Sequence, residues 1–266
     1  MYFLHITTKE KSLQIGDSFL KLLLIFKYKI KNDTNMPKAF VHNKEKLPTN
    51  THYLLIVDSS SSMSKLTKST ISGVNEQIDT IKSIEKEFPN QKYFMDFIHF
   101  NSTVTIEYTN RDAKSLEHIS ENNYKCSGMT ALLDAMGTGI RNLNERISKS
   151  VESGDSTAVV VIITDGEENS SREFDGSKVK SIIEELQATG KWTFTFVGAN
   201  IDSITTAKNY GINVNNVMQF SADSNSNSRV YKSMSRSFAA RGASLADNTY
   251  NSEVFLSSED KDVTSQ

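Results

Sequence analysis

The chain has 266 residues, of which 30 are Lys or Arg and 32 are Asp or Glu, so its charge is nearly balanced. A protein whose main ligand is DNA or RNA needs a strongly basic surface, and this composition does not indicate one, so we expect no nucleic-acid partner. The one cysteine, Cys126, cannot form a disulfide within the chain, which favours a reducing compartment.

Residues 1–49 are predicted to form a poorly defined N-terminal extension. The apolar run over 19–26 is interrupted by Lys21 and falls far short of the roughly twenty residues that a membrane-spanning helix needs. It is also a poor signal peptide, because no small-residue cleavage site follows it. We therefore expect no membrane span and no export signal. Met36 offers an alternative start, because a polar lead runs from it into the first strand.

The apolar run over 53–57 is followed at once by Asp58 and four serines. Such a run predicts a strand buried on both faces, with Asp58 at its carboxyl end, where open α/β sheets bind ligands. Asp58, Ser60 and Ser62 alternate, so a loop that turns back brings their oxygens together. Oxygen ligands suit a hard cation such as Mg²⁺. The alternative is that these residues only form a turn and cap the next helix.

Periodicity predicts the elements that follow. They are a helix over 65–87, a hairpin of strands 93–100 and 103–108 at one edge of the sheet, and a short helix over 112–120. His99 lies inside the first hairpin strand between Ile98 and Phe100. We interpret it as a hydrogen-bonded core residue rather than a catalytic one.

Two distant features belong with the Asp58 loop. Thr130 opens an amphipathic helix whose apolar positions run from Leu132 to Ile147. The apolar run over 159–163 predicts a second buried strand, and it is followed by Thr164 and Asp165. Two parallel strands that each end in Asp place both carboxylates on the same edge of the sheet. The helix that opens at Thr130 can deliver a hydroxyl between them.

Strand and helix continue to alternate after Asp165. We expect a helix around 179–186, a strand over 192–198, a helix from Asp202 to Gly211, a strand over 216–220 and a closing helix over 226–241. This alternation predicts an α/β fold with a doubly wound, mostly parallel central sheet, flanked by helices and carrying one antiparallel edge strand. Residues 242–266 are predicted to form a flexible polar tail.

Asp58, Ser60, Ser62, Thr130 and Asp165 together resemble the metal-ion-dependent adhesion site of the von Willebrand factor type A (vWA) domain. That pattern is Asp-x-Ser-x-Ser, a distant Thr and a distant Asp. The resemblance covers residues 50–241 and implies a Rossmann-like domain in which these five residues hold Mg²⁺, with Mn²⁺ or Ca²⁺ as alternatives. In this family a Glu or Asp of a partner protein completes the metal's ligands. The resemblance thus implies a metal-dependent protein–protein interaction module and not an enzyme.

Other functions stay open at this point. A Mg²⁺-dependent phosphoryl-transfer enzyme would need a second carboxylate two residues after Asp58, where Ser60 stands. A serine hydrolase would need a glycine-flanked serine after a strand, and a structural domain without bound metal is the third option. Glu167 or Glu168 could also fold over and occupy the open metal position. The resembling family includes both extracellular and intracellular proteins. Because the sequence shows no convincing export signal, no disulfide and no attached stalk or repeat modules, we expect a stand-alone cytoplasmic protein, with a secreted or surface protein as the alternative. The sequence identifies neither partner nor oligomeric state.

Overall fold

The computed structural model of the protein describes residues 47–199 and 202–256. The predicted extension over 1–49, with Met36, lies almost entirely outside these residues. The strands of the described part are β1 (Asn50–Asp58), β2 (Lys92–Phe100), β3 (Val104–Asp112), β4 (Ser156–Thr164), β5 (Trp192–Ala199) and β6 (Val217–Phe220). Its α-helices are α1 (Thr67–Glu87), α2 (Leu132–Glu152), α3 (Gly176–Ala188), α4 (Ser203–Asn209) and α5 (Ser224–Ala246). None of these helices is long and apolar enough to cross a membrane.

The strands form one sheet in the order β3-β2-β1-β4-β5-β6. Strand β3 pairs with β2 in antiparallel fashion, and the other neighbouring strands are parallel. Helices α1 and α5 cover one face, and α2, α3 and α4 cover the other. The predicted doubly wound α/β fold with one antiparallel edge strand is confirmed. Because the strand order reverses between β1 and β4, their carboxyl ends flank the topological switch point, where such folds bind ligands.

Strand β1 lies at the centre of the core and is buried along its whole length after the first residue. Successive side chains of a strand point to opposite faces of the sheet. Tyr53, Leu55 and Val57 accordingly pack with α1 and α5, whereas Leu54 and Ile56 pack with α2 and α3. Because helices cover both faces of the sheet, every side chain of this strand after the first is buried, and the apolar run is uninterrupted. The strand ends at Asp58, which therefore lies at the edge of the core.

The short helix predicted over 112–120 is wrong. Only one 3-10 turn, Ala113–Ser115, forms there, and the side chain of Asp112 caps it by accepting from the Lys114 backbone N–H. The spacing that suggested a helix has another cause. Leu116 and Ile119 are buried because the irregular chain that carries them packs against the α1 side of the core. An irregular segment thus buries the same apolar side chains that a helix would have buried.

The predicted tail over 242–266 is also partly wrong. Helix α5 runs on to Ala246, and Phe255 and Leu256 are buried in the core. Residues 247–256, the C-terminal strap, cross the amino ends of the strands. Its contacts are Tyr250 Oη to Thr157 Oγ1 at 2.7 Å, Thr193 Oγ1 to Ser252 O at 2.6 Å, and Asn216 Nδ2 to Glu253 O at 2.9 Å.

Helices α1 and α5 pack closely at Gly73, where a β-carbon would stand 2.1 Å from the ring of Tyr231. Tyr231 is fully buried, so its ring has no free space to enter. We predict that Gly73→Ala lowers the free energy of unfolding by about 1–3 kcal/mol through overpacking. Urea denaturation measures this change. The exposed neighbour serves as a control, since Ser72→Ala should change it by less than about 0.5 kcal/mol. An unchanged urea midpoint for Gly73→Ala would contradict this packing.

Candidate metal centre

The first three predicted site residues lie in the loop after β1. Asp58 and Ser60 are buried, whereas Ser62 is exposed. The Ser60 backbone N–H donates to Asp58 Oδ1 at 2.6 Å, and Ser60 Oγ lies 3.0 Å from Ser62 Oγ. The loop therefore turns back on itself, as the alternate spacing of these residues predicted.

Strand β4 ends beside β1 and brings the second acid to the same place. Ser62 Oγ donates to Asp165 Oδ1 at 2.6 Å, which joins the two loops. Behind this contact, Thr164 Oγ1 donates to Asp58 Oδ2 at 2.6 Å. Both oxygens of Asp58 thus accept a hydrogen bond from a fixed group, so the orientation of its carboxylate is set by the protein.

Thr130 reaches the site from the loop before α2. That loop is tied to the serine loop, because the Ser61 backbone N–H donates to Gly128 O at 3.1 Å. A β-carbon built on Gly166 would stand 3.6 Å from Thr130 Oγ1 and 3.9 Å from Ser62 Oγ, so the two hydroxyls face one small space. The loop after β1 therefore contacts the loop after β4 directly, through Ser62 and Asp165. The Thr130 hydroxyl lies close to both loops, next to Gly166.

The donor set of this site consists of oxygens. Within the part of the chain that the structure describes, no three His, Cys, Asp or Glu side chains group as metal ligands. A cation here would rest on the carboxylates of Asp58 and Asp165 and on hydroxyls. Carboxylate and hydroxyl oxygens suit hard cations such as Mg²⁺, Mn²⁺ and Ca²⁺, whereas structural zinc sites use mainly thiolate and imidazole. The residues present fit a hard divalent cation.

Burial raises the pKa of both carboxyl groups. For Asp58, desolvation is the largest cause and the nearby charge of Asp165 adds to it, while hydrogen bonds from Thr164 and Ser60 oppose it. Burial likewise raises the pKa of Asp165, against the hydrogen bond from Ser62. Two partly desolvated like charges are unfavourable side by side, and a cation between them would remove that cost.

We predict that Asp58→Asn raises the melting temperature of the metal-free protein at pH 7. A carboxyl pKa that is higher in the folded than in the unfolded state means that stability falls as the pH rises through that interval. The Asn amide can meet Thr164 Oγ1, because that hydroxyl has a second acceptor in Gly166 O at 3.1 Å. A gain of about 1 kcal/mol would appear as roughly 2–4 °C in calorimetry.

The pH dependence of the melting temperature separates the removal of the buried Asp58 charge from an unspecific stabilisation by the substitution. The gain should shrink as the pH is lowered, because the wild-type carboxyl then becomes neutral as well. Asp202 caps α4 on the surface, and its hydrogen bonds to Thr205 lower its pKa. Asp202→Asn, the control, should therefore not raise the melting temperature. A lower melting temperature for Asp58→Asn at pH 7 would show that the charge itself stabilises the fold.

The acidic loop after Asp165 is braced against α2. The Glu168 carboxylate accepts from the backbone N–H groups of Leu133 at 2.9 Å, Ser170 at 2.8 Å and Ser171 at 2.7 Å. The Asp134 carboxylate accepts from those of Arg172 at 2.8 Å, Glu173 at 2.9 Å and Phe174 at 2.9 Å. Glu168 is thus committed to these amides, so the hypothesis that it plugs a metal site is wrong. Glu167 is exposed and keeps that role as a hypothesis.

Asn169 is a residue that the sequence reasoning missed. Its Oδ1 accepts from the Thr130 backbone N–H at 2.9 Å, and its own backbone N–H donates to Thr130 O at 3.1 Å. These two hydrogen bonds fix both the backbone N–H and the backbone C=O of Thr130. Because Asn169 lies four residues after Asp165, one short loop sets the positions of both predicted ligands. A polar contact between two loops leaves no periodic pattern in a sequence.

We predict that Asn169→Ala increases amide hydrogen exchange at Thr130 by about fivefold to tenfold, the effect of losing one hydrogen bond. Exchange measured by NMR on the metal-free protein tests this directly. Asn169→Asp keeps the acceptor oxygen and should retain most of the protection. Equal exchange in the wild type and Asn169→Ala would show that the side chain does not hold Thr130.

His99 is a hydrogen-bonded core residue, as predicted. Its Nδ1 lies 3.1 Å from Ser59 Oγ, and its Nε2 lies 3.3 Å from Glu107 Oε1. Ser59 is fully buried, and its hydroxyl donates to Phe100 O at 2.9 Å. Burial lowers the pKa of His99, although Glu107 acts in the opposite direction. These contacts fasten the loop after β1 to strand β2.

The family of the chain follows from a comparison with known domains. The model of the von Willebrand factor type A domain matches residues 54–240, which is most of the chain. The chain therefore belongs to the vWA domain family. No curated protein sequence matches it.

Solved structures show the same fold. A von Willebrand factor type A protein from Catenulispora acidiphila matches with a TM-score of 0.52 and 14% identity, over 72% of this chain and 43% of that one. The pilus adhesin SpaC from Lactobacillus rhamnosus GG, in its open conformation, matches with a TM-score of 0.53 and 14% identity. The match covers 73% of this chain and 30% of SpaC. Proximal thread matrix protein 1 from the mussel byssus, with a zinc-occupied MIDAS motif, matches with a TM-score of 0.50 and 18% identity. The match covers 75% of this chain and 49% of the mussel protein. The chain spans less than half the length of each.

Proposed function

We propose that this vWA domain binds a divalent cation, Mg²⁺ in the first place, through Asp58, Ser60, Ser62, Thr130 and Asp165. The observation that carries the proposal is the junction of the two loops. Ser62 Oγ lies 2.6 Å from Asp165 Oδ1 and 3.0 Å from Ser60 Oγ, so three predicted ligands already share one point. Zinc occupies the MIDAS motif of the mussel protein. The all-oxygen donor set of this chain favours Mg²⁺, Mn²⁺ or Ca²⁺ instead.

The function we propose for the cation is to bind a carboxylate of a partner protein. Mg²⁺ prefers six oxygen ligands, and the two carboxylates of the site balance its charge while leaving at least one position open. The site opens to solvent at Ser62, and Met129, beside Thr130, has an exposed fraction of 53%. A Glu or Asp side chain can approach from this side, with Met129 as an apolar contact next to it. This makes the domain a metal-dependent protein–protein interaction module.

The geometry favours binding over catalysis. Ser59, His99 and Glu107 lie in a row, but the Ser59 side chain is fully buried and its proton is donated to a backbone carbonyl. A substrate has no access to that hydroxyl. In a phosphoryl-transfer enzyme of the type considered above, an acid would stand at Ser60, whose hydroxyl cannot act as a general acid or base near neutral pH. The cytoplasmic location remains a prediction.

We predict that Mg²⁺ and Mn²⁺ bind the chelator-stripped protein saturably and that Asp165→Asn weakens this binding by at least about tenfold. The physical reason is the loss of one of two charged ligands at a site with three neutral ones. Isothermal titration calorimetry measures the affinity. Thr130→Ala should weaken binding less than Asp165→Asn, because water can replace a neutral hydroxyl.

The matched control for the metal titration is Asp202→Asn, which makes the same chemical change at an exposed helix cap. It should bind Mg²⁺ as the wild type does, and circular dichroism should show that all variants are folded. Equal affinity in the wild type and Asp165→Asn would refute the proposed ligand set.

We further predict that a short peptide containing Glu binds in the presence of Mg²⁺ and loses at least about tenfold in affinity when the metal is chelated. The reason is that the carboxylate would fill the open coordination position. Fluorescence anisotropy of a labelled peptide measures the binding, and the Gln peptide of the same sequence is the control. Equal binding of both peptides would show that the metal does not select a carboxylate.

A further inference from the structure

A second charged feature lies at the edge of the sheet opposite the candidate metal centre. Helix α1 starts next to the Asp58 loop and ends at this opposite edge, where β2 begins. One pocket of about 480 Å³ is formed there, and it is lined by Lys82, Lys86, Lys92, Lys114, Glu85 and Pro89. We call it the basic pocket. Three separate elements contribute its lysines: α1, β2 and the turn after β3.

Within the part of the chain that the structure describes, most of the positive charge of the basic pocket has no acidic partner. Glu85 is its one acid, and this carboxylate is buried and paired with Lys92 at 3.7 Å. Within the described residues, the ammonium groups of Lys82, Lys86 and Lys114 form no ion pair with an acid. As far as the residues of 47–199 and 202–256 go, three positive charges therefore face one concavity without an acidic partner.

The fold alone explains only part of this arrangement. Lys86 lies in the last turn of α1, where the helix dipole favours a cation. Lys82 lies four residues before it on the same helix face, and like charges at that spacing are destabilising. Asp112 stands near Lys114, but its carboxylate accepts from the Lys114 backbone N–H at 2.9 Å and caps the turn. The convergence of the lysines costs stability unless an anion binds between them.

We propose that the basic pocket binds a small anion that carries several phosphate groups. Lysine ammonium groups bind phosphate as point charges, and three of them match a ligand with several negative charges better than they match a single carboxylate. A volume of about 480 Å³ lies within the range of small-molecule sites. A nucleic acid would need a basic track along the surface, whereas the basic pocket is one concavity on a chain whose overall charge is nearly neutral.

The experiment uses inorganic triphosphate as the probe and the full chain in metal-free buffer at about 0.15 M salt. The absence of metal removes any contribution from the proposed cation site, so the two proposals are tested separately. We expect saturable binding with one site per chain in calorimetry. The triple variant Lys82→Gln, Lys86→Gln and Lys114→Gln should bind about eightfold more weakly or worse, since each lost ion pair contributes about a factor of two or more.

The control removes the same charge elsewhere. Lys149, Lys208 and Lys232 are exposed, lie on three helices and do not line the pocket. Their triple Gln variant should change the affinity by less than about twofold. Absence of saturable binding by the folded wild type would overturn the proposal. An equal loss in both triple variants would also overturn it, because net charge and not the pocket would then attract the anion.

Two sources of this phosphate chemistry are distinguished by a second arm with lipid vesicles. Neutral phosphatidylcholine vesicles are compared with vesicles that also contain a bisphosphorylated inositol lipid. Recruitment to the second kind alone, lost in the pocket variant, would support a lipid headgroup as the ligand. Binding of triphosphate without recruitment would support a soluble phosphate compound. Recruitment that persists in the pocket variant would overturn the assignment of the pocket to a headgroup.

Discussion

The structure of the candidate site depends on one electrostatic constraint, the burial of two carboxylates at the ends of adjacent parallel strands. β1 and β4 meet at the topological switch point, and each runs directly into the acid that it presents. Neither strand can move without disturbing the core, because each is buried on both faces. The hydrogen bonds from Ser60 and Thr164 to Asp58, and from Ser62 to Asp165, offset part of the cost of desolvation.

Other acids near the site have a different task from these two. Glu168 accepts the Leu133 backbone N–H at the start of α2, and Asp134, in the first turn of that helix, accepts the backbone N–H groups of Arg172 and Glu173. The positive end of the helix dipole favours carboxylates at this place. Together with Asn169 they bind the loop after Asp165 to the segment that carries Thr130. Two of the five proposed ligands therefore belong to one braced unit. The loop of Asp58, Ser60 and Ser62 is a second unit, fastened to β2 through His99.

The sequence predicted the structure well where buried residues follow a regular pattern. It did not predict the loops whose positions depend on polar contacts. The buried runs that end at Asp58 and Asp165 predicted both strands, their parallel pairing and the meeting of the acids. The same reasoning gave a wrong helix over 112–120, because buried residues in irregular chain can imitate helical spacing. It also missed Asn169 and the C-terminal strap. Their hydrogen bonds join residues that are distant in sequence, and such contacts have no local signature.

The two buried carboxylates argue against a purely structural role for the site. Asn in place of Asp58 would still accept from the Ser60 backbone N–H and would meet Thr164 without a buried charge. The chain instead places a second acid, Asp165, where its charge raises the pKa of Asp58 further. The fold gains nothing from this repulsion, since uncharged residues of the same size satisfy the same contacts. A bound cation would turn the repulsion into attraction, and the proposed metal site would account for both acids and for the hydroxyls that stand between them.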